Sequence, residues 1–277
     1  MADPRTVVLP SGVAVPVLGQ GTWRMGEDPG RRSAEVSALR VGLDLGMTLI
    51  DTAEMYGDGA AEEVVAEAVA GRRDEVFLVS KVLPSHADAR GVAEACRGSL
   101  RRLCTDRIDL YLLHWRGDVP LEETVEAFES LVREGAIGSW GVSNLDVEDL
   151  ADLPSGAEPQ TDQVLYNLSR RGPEHSLLPK CRALSIPVMA YSPVEQGRLL
   201  GNAALREVAA AHGATPAQIA LAWVLRHDDV IAIPKASSRE HVQENRAALQ
   251  VDLTAEDLAT LDRAFPPPRS RRPLEIL

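Results

Sequence analysis

Four side chains that can hold or donate protons lie at or just beyond the ends of three successive predicted strands. Asp51 ends the first of these strands, Lys81 lies near the end of the second, and His114 ends the third. Tyr56 lies in the loop that follows Asp51. If the strands are neighbours in a parallel barrel, their carboxyl ends share one mouth, where the four groups meet. A phenol beside an ammonium, a carboxylate and an imidazole can give a proton to a carbonyl oxygen, which predicts the chemistry of a carbonyl reductase.

Each of the four side chains also has a simpler structural explanation. Asp51 could cap the next turn, Tyr56 could pack on the rim, and a lone histidine is usually a core residue. Lys81 is harder to explain in this way, because a lysine near a barrel interior must find a carboxylate or lose its charge. Their joint position favours catalysis, with Asp51 keeping Lys81 charged and the ammonium lowering the pKa of Tyr56 from about 10. His114 would hydrogen-bond the substrate oxygen and orient it.

A repeating pattern of strands and helices would position these groups. Predicted strands lie at 17–21, 48–51, 76–82, 108–114, 137–142, 161–166, 187–191 and 230–234. Amphipathic or well-capped stretches predict helices at 33–45, 87–103, 121–133, 203–212 and 217–227, and a further C-terminal helix at 254–264. Eight buried strands alternating with helices predict an α/β fold, a single (β/α)8 TIM barrel that occupies residues 1–277 as one domain.

Two further patterns bear on the fold. Apolar runs at 7–9 and 13–15 flank a Pro-Ser-Gly turn, which predicts an N-terminal β-hairpin at the floor of the barrel. The rival fold is a doubly wound Rossmann sheet. It is disfavoured because the chain has no Gly-x-Gly-x-x-Gly fingerprint between an early strand and a helix.

Composition narrows the classes of function. The chain of 277 residues has 41 acidic and 29 basic residues, a formal net charge of -12, which argues against general nucleic-acid binding. No uncharged apolar run is long enough to cross a membrane, and the first residues carry no signal-peptide pattern. Three cysteines fit no closed disulfide framework and the six histidines are scattered, so we expect no metal site. We expect a cytoplasmic monomer that acts on a small-molecule carbonyl substrate.

Several segments resemble the aldo-keto reductase superfamily. They lie at 51–57, 79–81, 112–115, 141–144, 191–193 and 233–235, in the family's order. The resemblance implies a catalytic tetrad of Asp51, Tyr56, Lys81 and His114, with Tyr56 as the general acid and a nicotinamide cofactor. Residues 19–25 and 233–245 more closely resemble small bacterial NADPH-dependent aldehyde and methylglyoxal reductases.

The resemblance also implies a set of cofactor-binding residues. Tyr191 would stack on the nicotinamide, and residues 192–198 would cover the pyrophosphate with Arg198 as counter-charge. The full set is Gly21, Thr22, Trp23, Asp51, Ser143, Asn144, Gln163, Tyr191, Ser192, Pro193, Arg198, Lys235, Ser237, Arg239, His241, Glu244 and Asn245. The chain has Ala236 and His241 where related sequences carry a serine and an arginine for the 2′-phosphate. We therefore expect NADPH as the cofactor, with use of NADH left open.

Short loops would leave the mouth open to small aldehydes. Trp23, Tyr56, His114 and Trp115 would contact the substrate, with Met25 as a further wall. Two other functions stay open from the sequence alone. Lys81 could form a Schiff base in an aldolase-type lyase, or the chain could be a cofactor-sensing accessory binding protein, since fold does not fix function.

Overall fold

Eight short parallel strands form the centre of the computed structural model, which describes residues 5–277. The barrel strands are numbered after the two strands of the N-terminal hairpin. They are β3 (Gln20–Gly21), β4 (Leu49–Asp51), β5 (Phe77–Val82), β6 (Ile108–Leu113), β7 (Ile137–Ser143), β8 (Asp162–Leu165), β9 (Val188–Tyr191) and β10 (Val230–Ala232). Each strand pairs with the next along the chain. The backbone N–H of Gly19 donates to Ala232 O at 2.9 Å and that of Ala232 donates to Val17 O at 2.8 Å. These bonds join the first strand to the last, and the predicted closed barrel is confirmed.

Ten α-helices surround the strands in the described residues. They are α1 (Arg32–Asp44), α2 (Ala60–Val69), α3 (Ala89–Arg102), α4 (Leu121–Glu134), α5 (Val147–Ala151), α6 (Leu177–Ala183), α7 (Ala203–Ala211), α8 (Pro216–Val224), α9 (Arg239–Ala247) and α10 (Ala255–Ala264). α10 begins at a capping box in which Thr254 and Asp257 satisfy each other's backbone N–H groups, as the sequence predicts. None of the helices in this part of the chain is long and apolar enough to span a bilayer.

Two glycines allow the first barrel strand to approach its neighbours. A Cβ added to Gly19 would lie 2.6 Å from Leu49 Cδ2, and one added to Gly21 would lie 2.7 Å from Ile233 O. Any side chain at either position would push β3 away from β4 or from the chain beyond β10. Barrel closure at this seam therefore depends on the absence of side chains there.

The N-terminal hairpin lies at the end of the barrel opposite the mouth. It consists of β1 (Thr6–Val8) and β2 (Ala14–Pro16), which pair antiparallel. The Ser11 N–H donates to Gln160 Oε1 at 2.7 Å, and Gln160 precedes the start of β8. Val7 of β1 and Val15 of β2 are paired across the hairpin and are both buried. The hairpin thus covers the barrel floor, as expected, while the predictions about residues 1–4 lie outside the described residues.

A short segment without helix follows α10. Residues 266–277 have no helix, and we call them the C-terminal strap. They contact residues that follow β7 and β8 and the last residue of β9, all at the carboxyl ends of strands. The mouth is therefore bordered by the strap on this side, where the sequence predicted an open rim.

Candidate active site

A buried lysine lies at the centre of the barrel mouth. Its Nζ is 2.8 Å from the Asp51 carboxylate, 2.9 Å from Thr52 O and 3.2 Å from Tyr56 Oη. Lys81 is completely buried and Asp51 is 2% exposed. Parallel pairing of β4 with β5 positions them, and the loop after β4 returns Tyr56 to the same ammonium. The structure thus brings Asp51, Tyr56 and Lys81 together, as the sequence predicts.

The ammonium of Lys81 keeps its charge in spite of burial. Burial lowers the pKa of Lys81, but the Asp51 carboxylate and the Tyr56 hydroxyl outweigh that effect, so its pKa is raised. Burial raises the pKa of Asp51 by more than the Lys81 ammonium and a hydrogen bond from Gln163 lower it, but the charged Lys81 Nζ at 2.8 Å holds the group as a carboxylate. Gln163 Nε2 donates to Asp51 Oδ1 at 2.7 Å. The two charges therefore form an ion pair that the surrounding groups hold in place.

Tyr56 differs from the expectation in one respect. Burial raises the pKa of Tyr56 by more than the Lys81 ammonium lowers it, so the net direction is upward. The Lys81 ammonium lowers the pKa of Tyr56, as predicted, but burial and the Asp51 carboxylate outweigh this effect. The phenol is protonated at neutral pH, which is the state that a proton donor needs.

His114 lies beside the Tyr56 phenol and is buried. Its ring meets the Tyr56 ring edge to face, with 5.8 Å between centroids, and the Trp115 ring is 4.9 Å away. Burial and the Lys81 charge lower the pKa of His114 to about 3, so the imidazole is neutral at neutral pH. Its Nδ1 is buried without a hydrogen-bond partner among residues 5–277. Because an N–H without an acceptor is costly, the proton belongs on Nε2.

The residues predicted to hold the nicotinamide form a hydrogen-bond chain that ends at His114. Tyr191 Oη donates to Asn144 Oδ1 at 3.0 Å, and Asn144 Nδ2 donates to His114 O at 3.0 Å. Asn144 Nδ2 also lies 3.1 Å from Ser143 Oγ, and the Ser143 hydroxyl donates to Gln163 O at 2.8 Å. Burial raises the pKa of Tyr191 to about 12. Asn144 does not cap a helix, because Asp146 is the N-cap of α5.

The predicted pyrophosphate loop, residues 192–198, folds around a buried carboxylate. Glu195 is 4% exposed and accepts hydrogen bonds from Asn167 Nδ2 at 2.8 Å, Arg170 Nη2 at 3.0 Å and Arg198 Nη2 at 2.9 Å. These partners lower the pKa of Glu195 against the effect of burial, so it is ionised. Arg198 is exposed but engaged with Glu195 rather than held free for phosphate. Pro193 is buried and anchors the start of the loop.

On the other side of the mouth, residues from the first barrel strand and from the chain after β10 lie side by side. Gly21 pairs with Lys235, and Thr22 Oγ1 donates to Asp51 O at 2.9 Å. Ser237 Oγ is buried without a hydrogen-bond partner among the described residues. The remaining predicted positions, Arg239, His241, Glu244 and Asn245, lie on α9, with Asn245 buried and Arg239 and His241 exposed.

Two basic residues near this corner were not predicted as site residues from the sequence. Arg31 and Arg24 are close enough to Lys235 that their charges, together with burial, lower its pKa, while Glu27 and Glu35 oppose the shift. In the described chain, Arg24, Arg31 and Lys235 make no salt bridge, whereas Arg32 pairs with Glu63 and Glu67. The consecutive pair Arg31 and Arg32 in a strongly acidic chain was the available signal in the sequence. Only the fold shows that Arg31, and not Arg32, lies near Lys235.

The predicted substrate side is lined by aromatic rings. Trp23 and Trp115 are half-buried, and the Arg24 guanidinium lies 4.5 Å over the Trp23 ring. Met25 is completely buried in the core, so the expectation that it forms a wall of the pocket is wrong. Within the described residues, no group of three histidine, cysteine or acidic side chains could hold a metal ion.

A family model confirms the resemblance found in the sequence. Residues 17–265 match the model of the aldo/keto reductase family. Methylglyoxal reductase YeaE of Escherichia coli is 53% identical over 273 residues, which cover 96% of each chain.

Solved structures agree with this match. An aldo/keto reductase from Klebsiella pneumoniae in complex with NADP and acetate is 53% identical, with a TM-score of 0.96 over 99% of this chain and all of that one. A second structure from Klebsiella pneumoniae, an aldo-keto reductase in complex with NADPH, gives a TM-score of 0.97 at the same identity and coverage. The chain belongs to the aldo/keto reductase family.

Proposed function

We propose that this protein reduces small aldehydes and ketones to alcohols with NADPH, and that Tyr56 is the general acid. The observation that carries the proposal is the contact of 3.2 Å between Tyr56 Oη and the buried Lys81 ammonium, which Asp51 in turn holds. The Tyr56 phenol is protonated, and the Lys81 ammonium lies beside the oxygen that becomes negative when the proton leaves. Such a pair can release a proton to a carbonyl oxygen and then stabilise the phenolate.

The residues around the mouth suit a dinucleotide. The Tyr191 ring is half-buried at the end of β9, and Ser143, Asn144 and Gln163 beside it offer donors and acceptors that suit a carboxamide. At the far corner, the buried Ser237 hydroxyl has no partner within the described chain, and Lys235 lies there. Cationic and hydroxyl donors of this kind bind phosphate. These features support an extended cofactor running between the two corners.

NADPH, when bound, supplies the hydride that a carbonyl carbon accepts. Tyr56 gives its proton to the carbonyl oxygen, on which negative charge develops. His114 is neutral and donates a hydrogen bond from Nε2 to the same oxygen, which orients the substrate. Lys81 stabilises the phenolate left on Tyr56, and Asp51 keeps Lys81 charged. The aromatic walls exclude water from this proton transfer.

Small aldehydes and α-dicarbonyls are the substrate class that we infer. The pocket walls Trp23, Tyr56 and Trp115 are aromatic and suit a flat, compact carbonyl. The similarity to a protein named methylglyoxal reductase supports the same class. Structures of similar proteins with NADP and NADPH support the choice of cofactor.

Two alternatives from the sequence lose support. A Schiff-base lyase needs a neutral lysine, and the pKa of Lys81 is raised. A cofactor-sensing accessory protein would not need the complete set of Asp51, Tyr56, Lys81 and His114. We further propose that the chain acts as a single-domain monomer in the cytoplasm. Its three free cysteines support a reducing compartment.

A carbonyl panel with a matched pair of tyrosine variants tests the proposal. NADPH oxidation is measured with methylglyoxal, simple aldehydes and bulky ketones. Tyr56→Phe should lower kcat by roughly 100-fold to 10,000-fold, because it removes the proton donor, while NADPH binding stays intact. Tyr111→Phe is the control, since it deletes a buried hydroxyl that has no hydrogen-bond partner in residues 5–277. Full activity in Tyr56→Phe would refute the assignment.

A further inference from the structure

The C-terminal strap is attached to the barrel mouth by an arginine. Arg271 Nη2 lies 2.8 Å from Asp146 Oδ2 and its Nη1 lies 2.6 Å from Glu148 Oε1. Asp146 caps α5 and follows Asn144, the proposed carboxamide ligand, by two residues. The Arg271 ion pair and backbone N–H groups lower the pKa of Asp146 against the effect of burial, so it is ionised. The strap is thus fixed to the turn that carries Asn144.

A second ion pair connects the strap to residues 192–198, which we call the cofactor loop. Glu275 Oε1 lies 2.5 Å from Arg170 Nη1, and Arg170 Nη2 lies 3.0 Å from the buried Glu195 of that loop. Arg170 therefore joins the strap and the cofactor loop through one guanidinium. Ser192, Glu195 and Gln196 have φ values of 47°, 49° and 55°, which are uncommon for residues other than glycine. The contacts of Glu195 hold the loop in this conformation.

The end of the strap reaches the ring that is proposed to stack on the nicotinamide. The backbone N–H of Leu277 donates to Tyr191 Oη at 3.4 Å, and Tyr191 in turn donates to Asn144. Leu274 packs against the hydrophobic core and anchors the middle of the strap. The strap therefore contacts the turn that carries Asn144 and the Tyr191 ring directly, and it reaches the cofactor loop through Arg170.

We propose that Arg271 and Glu275 are positioning residues that close the strap over the cofactor site and set the rate at which the cofactor leaves. The inference rests on the proposed use of NADPH. Arg271 is 41% exposed and Glu275 is 51% exposed at the side chain, so each ion pair is individually weak and sensitive to salt. A strap held by such pairs can open and reclose, while the catalytic set of Tyr56, Lys81 and Asp51 stays in place.

Stopped-flow fluorescence of NADPH release from the full-length protein tests the proposal. The wild-type release rate should rise with sodium chloride. Arg271→Ala and Glu275→Gln should each release NADPH roughly threefold to tenfold faster at low salt, as expected for losing one or two exposed ion pairs. Their rates should also depend less on salt. Arg271→Lys should restore most of the wild-type behaviour, because an ammonium still reaches one carboxylate.

Arg272→Ala is the matched control. Arg272 lies in the same strap, carries the same charge and makes no ion pair among the described residues. Equal release rates in Arg271→Ala and Arg272→Ala would overturn the role of the strap. If the wild-type protein does not bind NADPH, the proposed function itself fails, and this inference fails with it. If the wild-type protein binds NADPH but the variants release it unchanged, only the strap proposal fails.

Discussion

Lys81 is the residue at which a reductase and a lyase would differ. An ammonium group has three N–H donors. In this site they face three acceptors, the Asp51 carboxylate, Thr52 O and Tyr56 Oη. No lone pair is left to attack a carbonyl carbon, and the pKa of Lys81 is raised rather than lowered. The environment of this lysine therefore suits the stabilisation of a phenolate and opposes Schiff-base chemistry.

The preference for NADPH over NADH depends on a different set of residues. Position 241 carries a histidine where related sequences have the arginine that binds the 2′-phosphate. The fold places a different arginine, Arg31, near Lys235. We predict that Arg31→Ala weakens the binding of 2′,5′-ADP by roughly tenfold or more, the usual cost of one charge-assisted hydrogen bond. Binding of 5′-AMP, which has no 2′-phosphate, should be unchanged. Isothermal titration calorimetry with the two nucleotides measures both effects.

Arg32→Ala provides the comparison for Arg31. Arg32 is the next residue and has the same charge, but it pairs with Glu63 and Glu67 on α2. It should leave the affinity for both nucleotides unchanged. A similar loss in the two variants would mean that general charge, and not the position of Arg31, attracts the nucleotide.

At the scale of elements, the sequence predicted those features that depend on local patterns. The strand ends that carry Asp51, Lys81 and His114 were identified, because buried parallel strands have continuous apolar runs. α2, α5, α6 and α9 were not predicted individually. α5 and α6, of 5 and 7 residues, are too short to show a periodicity, and α9 buries a single apolar side chain, Val242.

The contacts of the strap could not be predicted either. Arg170 and Glu275 are separated by 105 residues, and no local pattern connects them. Arg271 and Asp146 are likewise 125 residues apart. Which carboxylate an exposed arginine meets is decided by how the barrel places its loops. The sequence therefore identified the catalytic groups but not the ion pairs that border their mouth.

A buried ion pair joins the helical layer to the strand that carries Lys81. Glu62 of α2 is completely buried and accepts from Arg102 Nε of α3 at 2.6 Å and from Ser80 Oγ of β5 at 2.6 Å. We predict that Arg102→Ala lowers the free energy of unfolding by about 3 kcal/mol, because it leaves a buried carboxylate without its cation. Urea unfolding monitored by circular dichroism measures the change.

Arg90→Ala is the control for Arg102→Ala. It removes another arginine from α3 but leaves the buried Glu62 with its cation. Arg90 pairs with Glu94 on the same helix, and both side chains are largely exposed. Its removal should shift the urea midpoint very little. Equal shifts for the two variants would show that the buried network does not contribute to stability.

Across the whole molecule, the acidic excess makes the placement of charge important. The formal net charge is -12, yet the proposed cofactor is itself an anion. Lys235, Arg24 and Arg31 gather at one corner of the mouth, while Glu195 faces inward to Arg170 and Arg198. The barrel thus turns a carboxylate away from the mouth and gathers basic groups there. Local charge, and not net charge, determines what an active site attracts.

Asp162 is a further acidic residue whose charge affects the whole protein. It is completely buried on β8, and neither carboxyl oxygen has a hydrogen-bond partner among residues 5–277. Burial raises its pKa well above the usual range, with nearby Asp149 and Asp146 acting in the same direction. The folded protein therefore keeps Asp162 protonated at pH values where the unfolded chain has released that proton.

The effect of Asp162 on stability should consequently depend on pH. The contribution of protonated Asp162 to the free energy of unfolding is fully present below the pKa of an unfolded aspartate, about 4. It is lost as pH rises towards the pKa of Asp162 in the folded protein. We predict that Asp162→Asn, which cannot ionise, is more stable than the wild type at pH 8. The difference in free energy of unfolding between Asp162→Asn and the wild type should shrink towards pH 5, by up to about 1.4 kcal/mol per pH unit. Urea unfolding across this range measures it, with the exposed Asp118→Asn as control. A difference between wild type and Asp162→Asn that stays constant with pH would mean that Asp162 is ionised in the folded protein.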